Sequence, residues 1–170
     1  AITQASLSDT TNTSTVTIEF SEAVTGFANA DVSVVGGTLS TLTSSDNVTW
    51  TGTFTAEDDS TTGASVTIDG VYTDLALNTG ATGASDTATV DTTNPTVSSV
   101  AITQASLNDT TNTSVVTITF SEAVTGFANA DVTVVGGTLS TLGSSDGGTT
   151  WTGIFTATDD STTGASVTVE

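Results

Sequence analysis

Apolar and polar residues alternate along much of this chain with a period of two. Val16, Ile18 and Phe20 are spaced by Thr17 and Glu19. Val48, Trp50, Gly52, Phe54 and Ala56 share one parity, with threonines between them. Val66, Ile68, Gly70 and Tyr72 repeat the pattern, as do Ala88 and Val90. Successive side chains of a strand point to opposite faces, so each run predicts a strand with one buried face. Shorter strands are expected at Asp31–Val35, stopped by Gly36-Gly37, and around Leu39 and Leu42. Ala1–Gln4 reads as the tail of a first strand whose full version is Thr96–Gln104. Polar loops separate these runs at Ser8–Ser14, Ser21–Ala30, Ser44–Asn47, Glu57–Gly63 and Thr73–Gly83, with Phe27 as a buried plug in the second. No segment carries a helical period.

The pattern occurs twice. Residues 1–46 match residues 101–146 at all but five positions: Ser8/Asn108, Thr15/Val115, Glu19/Thr119, Ser33/Thr133 and Thr43/Gly143. One inserted residue then shifts the register, so that Trp50 pairs with Trp151 and Phe54 with Phe155. A period of about 100 residues is a domain-sized unit rather than a solenoid turn. Seven short strands per unit, with an inward Trp and no helix, predict an all-β chain of tandem seven-stranded immunoglobulin-like β-sandwiches. The expected boundaries are a first repeat at 1–91 with strand A partly missing, a linker at 92–95 and a second repeat at 96–170. The second is incomplete: it is cut short in strand F and lacks strand G. Two explanations stand side by side, a piece of a longer array or a strand donated by a neighbouring chain in a filament. The linker holds the chain's only proline, Pro95.

Composition narrows the chemistry. The chain has no Lys, Arg, His, Cys or Met, and its 19 acidic residues give a formal charge of −19. Ser-His-Asp and Cys-His nucleophiles, Schiff-base lysines and His-ligated zinc are therefore excluded. Phosphate clamps are excluded as well, so nucleic acid is not an expected partner. Asp58-Asp59 imitates a glycosidase dyad only superficially, because adjacent strand residues face opposite ways; no enzyme is expected. No apolar run is long enough to span a membrane. Unopposed negative charge needs mobile cations, either monovalent salt or bound divalent ions. Oxygen-only ligands suit calcium.

With strands running alternately up and down, Asp9, Glu57, Asp58, Asp59 and Asp91 fall at one end of the first repeat. Glu22, Asp31, Asp46 and Asp74 fall at the other. The linker carries Asp91 and Asn94 toward the end of the second repeat that holds Glu122, Asp131 and Asp146. This predicts a calcium site at the junction, with Asp91, the Asn94 carbonyl, Asp9, Asp58, Asp59, Glu122 and Asp131 as candidate ligands. The competing reading is that acids collect in loops because loops are solvated. No Asp-x-Asp-x-Asp-Gly loop or Gly-Gly-x-Gly-x-Asp roll is present.

Several separated blocks resemble bacterial Ig-like repeats: Val16–Phe27, Ala30–Val32, Val35–Ser40, Tyr72–Asp74 with Asn78, and Val90–Val97. Such repeats are tandem extender domains of giant secreted adhesins and biofilm proteins, including RTX-type adhesins. The resemblance implies a stalk module at the bacterial surface, with neighbouring repeats as partners and calcium stiffening the junctions. It points to Asp91 first, then to Glu22, Glu122 and Asp74. A directly adhesive module that binds glycan or another surface is the alternative.

Overall fold

The structure, a computed structural model, describes residues 1–170 and divides into two compact units, Ala1–Asn94 and Pro95–Glu170. Apart from single 3-10 turns at Asn29–Asp31 and Asn129–Asp131, all regular structure is β.

The first unit contains β1 (Ser6–Ser8), β2 (Thr13–Glu19), β3 (Val24–Thr25), β4 (Val32–Val35), β5 (Gly37–Leu39), β6 (Thr49–Ala56), β7 (Ala64–Ile68), β8 (Thr73–Asp74) and β9 (Ser85–Asp91). One sheet has the order β2-β6-β5 and the other β1-β9-β7-β4, while β3 and β8 form a small separate pair. All pairings are antiparallel except β1 with β9. Val16, Ile18, Leu42 and Phe54 face Leu7, Val66, Ile68, Ala88 and Val90 across the core. This is the expected sandwich, built from the predicted parities.

The first strand is not a single strand. Ile2 bridges Val16 in one sheet, then the chain crosses over and Leu7 pairs with Val90 in the other. Ser14 makes the crossing possible. Its buried hydroxyl accepts the Gln4 N–H at 2.9 Å, a donor that has left the ladder. Ser114 does the same for Gln104. A polar residue at a core-facing position thus serves the backbone, which strand periodicity alone does not reveal.

The run through Tyr72 also departs from expectation, because β7 ends at Ile68. Tyr72 turns instead onto an aromatic cluster, with ring centroids 4.8 Å from Phe20 and 5.8 Å from Phe27. Phe27 in turn meets Trp50 edge-on at 5.3 Å, so the loop plug and the inward Trp pack as one unit. Gly80 fits beneath the Tyr72 ring, where a Cβ would lie 2.0 Å from the ring edge. Gly36 is required for its conformation: φ is +73° and a Cβ would sit 2.6 Å from the Thr62 carbonyl.

The second unit contains β10 (Val97–Ile102), β11 (Thr113–Phe120), β12 (Val132–Val135), β13 (Gly137–Leu139), β14 (Gly143–Ser144), β15 (Thr150–Ala157) and β16 (Ser166–Val169). One sheet has the order β10-β11-β15-β13, with β14 also on β15, and β12 pairs with β16. Val116, Ile118, Phe120, Leu142, Phe155 and Val167 form its core. The inserted residue has a local effect. The turn Asp146-Gly147-Gly148 brings the Gly148 carbonyl within 2.9 Å of the Trp151 indole N–H. The equivalent Trp50 N–H is buried without a partner.

Phe54 is completely buried at the centre of the first core. Phe54→Ala is expected to remove about 3–5 kcal/mol from the first unit's stability, read as a lower urea midpoint. A change below about 1 kcal/mol would mean that the two sheets do not depend on this ring.

Candidate functional site

The acidic side chains separate by what their carboxylates touch. At one end of the first unit, β1 and β9 finish side by side, with Ser8 opposite Asp91. Asp9 follows directly. Thr92, only 2% exposed, ties the start of the linker to the turn that carries Asp58 and Asp59. Its N–H donates to the Ser60 carbonyl at 2.9 Å, and its hydroxyl donates to the Glu57 carbonyl at 2.7 Å. The Ser60 N–H donates back to the same hydroxyl at 2.9 Å. Asp9, Asp58, Asp59 and Asp91 are thereby gathered at one end, all exposed. No donor within the chain engages their carboxylates. Asn94 is exposed two residues beyond Thr92. Thr92, expected in the linker, is instead part of the first unit.

At the opposite end of the first unit the carboxylates are mostly occupied. The pairing of β3 with β8 places Val24 opposite Asp74, and the Val24 N–H donates to the Asn47 carbonyl. Asp74 accepts the Asn78 N–H at 2.8 Å and its side-chain amide at 2.6 Å. Asp31 accepts the Ala28 N–H at 2.8 Å. Asp46 accepts the N–H groups of Val48 and Thr49, both at 2.9 Å, and the Ser44 hydroxyl at 3.0 Å. Glu22 is exposed.

The second unit repeats this division. Asp131 accepts the Ala128 N–H, and Asp146 accepts the Thr150 N–H and the Ser144 hydroxyl. Glu122 differs from Glu22: it is half-buried, and one carboxylate oxygen is shielded from solvent without a donor. Asp109, Asp159 and Asp160 border a small cavity of about 80 Å³ together with Asn108 and Asn112. Within neither unit do three acidic side chains converge as a metal-binding group.

Hydrogen bonding to the charged form lowers a carboxyl's pKa. Asp46 is held down chiefly by the Thr49 N–H, Asp146 by the Thr150 N–H and Asp74 by the Asn78 side chain. Asp86 is lowered by the Ile2 N–H, which donates to it at 2.7 Å. A carboxylate on a strand is expected to face solvent, yet Asp86, which shares the parity of Ala88 and Val90, joins the first strand to β9. Its even spacing from Ala88 and Val90 gave no warning, because its role lies in a backbone donor 84 residues away.

The fold favours the charged form of these groups. Their contribution is therefore complete above the ordinary aspartate pKa and is lost as pH falls through the lowered native values. Asp46→Ala is expected to lower the melting midpoint at about pH 6, with the gap to the parent chain closing below about pH 4. A gap unchanged down to about pH 2 would show that the ionised carboxylate is not what holds the turn.

The model of the bacterial Ig-like domain matches twice in tandem, over residues 1–90 and 91–170. No curated protein and no solved structure matches the chain. No helix is long and apolar enough to cross a membrane. Domains of this kind are generally structural, non-enzymatic modules and occur typically in surface and extracellular proteins. With two facing sheets in its first unit, a second core built from the same residues and a family match over each unit, the chain belongs to the bacterial Ig-like domain family.

Proposed function

We propose that this chain is an extender segment of a bacterial cell-surface adhesin or extracellular filament, in which calcium at the ends of the repeats stiffens the array. The observation that carries this reading is the near-identity of two consecutive domains, 41 of 46 positions over residues 1–46 and 101–146. Length is the property that gains from copying a module.

Three features support calcium. The chain offers no cationic side chain against its formal charge of −19. Asp9, Asp58, Asp59 and Asp91 lie exposed and unengaged at one end of the first unit. Glu122 holds a shielded carboxylate oxygen that lacks a donor. Calcium takes six to eight oxygens in flexible geometry, so Asn94 and backbone carbonyls complement such carboxylates. Asp31, Asp131, Asp46, Asp146 and Asp74 are weaker candidates, because a ligand would have to displace hydrogen bonds they already make.

Metal that binds only the folded chain raises stability by RT ln(1 + [Ca²⁺]/Kd), about 1.4 kcal/mol at roughly a tenfold excess over Kd. The expected result is a melting midpoint several degrees higher in millimolar calcium than in EGTA, with Asp91→Asn shrinking the difference. Small-angle scattering should show a longer, stiffer particle with calcium. Identical melts and scattering curves in the two buffers would remove calcium from the proposal and leave the extender reading to stand on the repeats.

A further inference from the structure

Several of the few differences between the two units fall on one surface. Thr15 and Thr53 are directly opposite one another on β2 and β6. In the second unit both are aliphatic, with Val115 opposite Ile154. The two positions are far apart in sequence and meet only through the strand register. Glu19 lies on the same face of β2, and Thr119 takes its place on β11. Thr43, opposite Thr51 on that face, becomes Gly143 beside Thr152. Together these changes turn a polar sheet face with one acid into an uncharged face with an aliphatic pair at its centre.

Val115 and Ile154 are 43% and 44% exposed. Their counterparts Thr15 and Thr53 are exposed too, in a unit where β9 completes the opposite sheet. The face therefore points away from the sandwich core, and no strand of its own unit covers it. Threonines surround the pair: Thr113 and Thr117 flank Val115 on β11, and Thr152 and Thr156 flank Ile154 on β15. None of β10, β11, β13, β14 and β15 contains an Asp or Glu.

We propose that this face is a contact surface for a second copy of the chain, packed sheet to sheet about a two-fold axis. A chain with a formal charge of −19 and no cationic side chain repels its own copies wherever acids meet. Here it presents none. The chemistry is also self-complementary. A two-fold axis through the centre of the pair sets Val115 of one copy over Ile154 of the other, and the surrounding threonine hydroxyls both donate and accept. A charged or donor-only face could not pair with itself in this way. Four strands about 4.8 Å apart, at about 3.4 Å per residue, give roughly 400–500 Å² per copy, the size of a weak, reversible contact. None of its residues is a candidate calcium ligand, so the inference stands independently of that reading.

Sedimentation velocity of the full chain in EGTA should show reversible dimers that increase with concentration and with salt, since screening removes the repulsion between the remaining acids. A calcium-bridged contact cannot form in that buffer, so this result and the calcium melts fail separately. Val115→Thr, Ile154→Thr and Thr119→Glu together should weaken association at least about tenfold. Those residues occupy the same places in the first unit, which forms its sheet with them. The reverse set, Thr15→Val, Thr53→Ile and Glu19→Thr, should give the first unit the same face and produce oligomers larger than dimers. A parent chain that stays monomeric at millimolar concentration and high salt would overturn the proposal. So would equal association by the triple variant, or retention on neutral polysaccharide beads that depends on Val115 without any self-association.

Discussion

Burial of one face of each strand holds both units together, because the side chains offer almost no other strong interaction. There is no cysteine to form a disulfide and no Lys, Arg or His to pair with the acids. Phe54, Val16 and Leu7 in the first unit, and Phe155, Val116 and Ile118 in the second, are essentially closed to solvent. The exposed faces are mainly threonine, whose β-branched side chain suits a pleated surface while its hydroxyl meets water. The same residue type thus supplies strand propensity and solubility without adding charge.

Within that constraint β9 has a larger part than its seven residues suggest. It pairs parallel with β1 and antiparallel with β7, so it joins the first strand segment to the rest of its sheet. Thr92 extends its hold by one residue into the Glu57–Ser60 turn. The contrast between Leu7 and Leu107 shows what this strand contributes. The two leucines occupy the same place in near-identical sequence, and only the one flanked by β9 is sealed from solvent.

Strand periodicity made much of this fold legible before any coordinates. The parity of Val16, Ile18 and Phe54 placed them in the core, where they are. The stop at Gly36-Gly37 is real, because Gly36 adopts a conformation that side chains avoid. Much of what escaped reading depends on partners distant in sequence. Ser14 looks like an ordinary polar strand residue until the crossover presents it with the Gln4 N–H. Tyr72 has the right parity for a sheet but is drawn away by Phe20 and Phe27. The β3–β8 pair rests on two residues from each strand, too few for any periodic signal. Among the candidate ligands, the gathering of Asp9, Asp58, Asp59 and Asp91 follows from strand direction alone. The engagement of Asp74 by Asn78 does not, since it is a local hydrogen-bonded turn.

The division of the acids follows from the missing cations. In such a chain, backbone N–H groups are the main fixed positive dipoles available to a carboxylate. Asp31, Asp46, Asp74 and Asp86 take them, and in doing so hold turns and strand ends in place. The turn that carries Asp58 and Asp59 offers their carboxylates no such donor. Asp59 has a positive φ of 49° there, and Asp160 repeats it in the second unit at 51°. The carboxylates left there can be met only from solution. Their charge acts at the ends of a unit, well separated from the apolar interior that sets its fold. A change in ions can therefore act on those ends while the buried layer of Phe54, Val16 and Leu7 stays as it is.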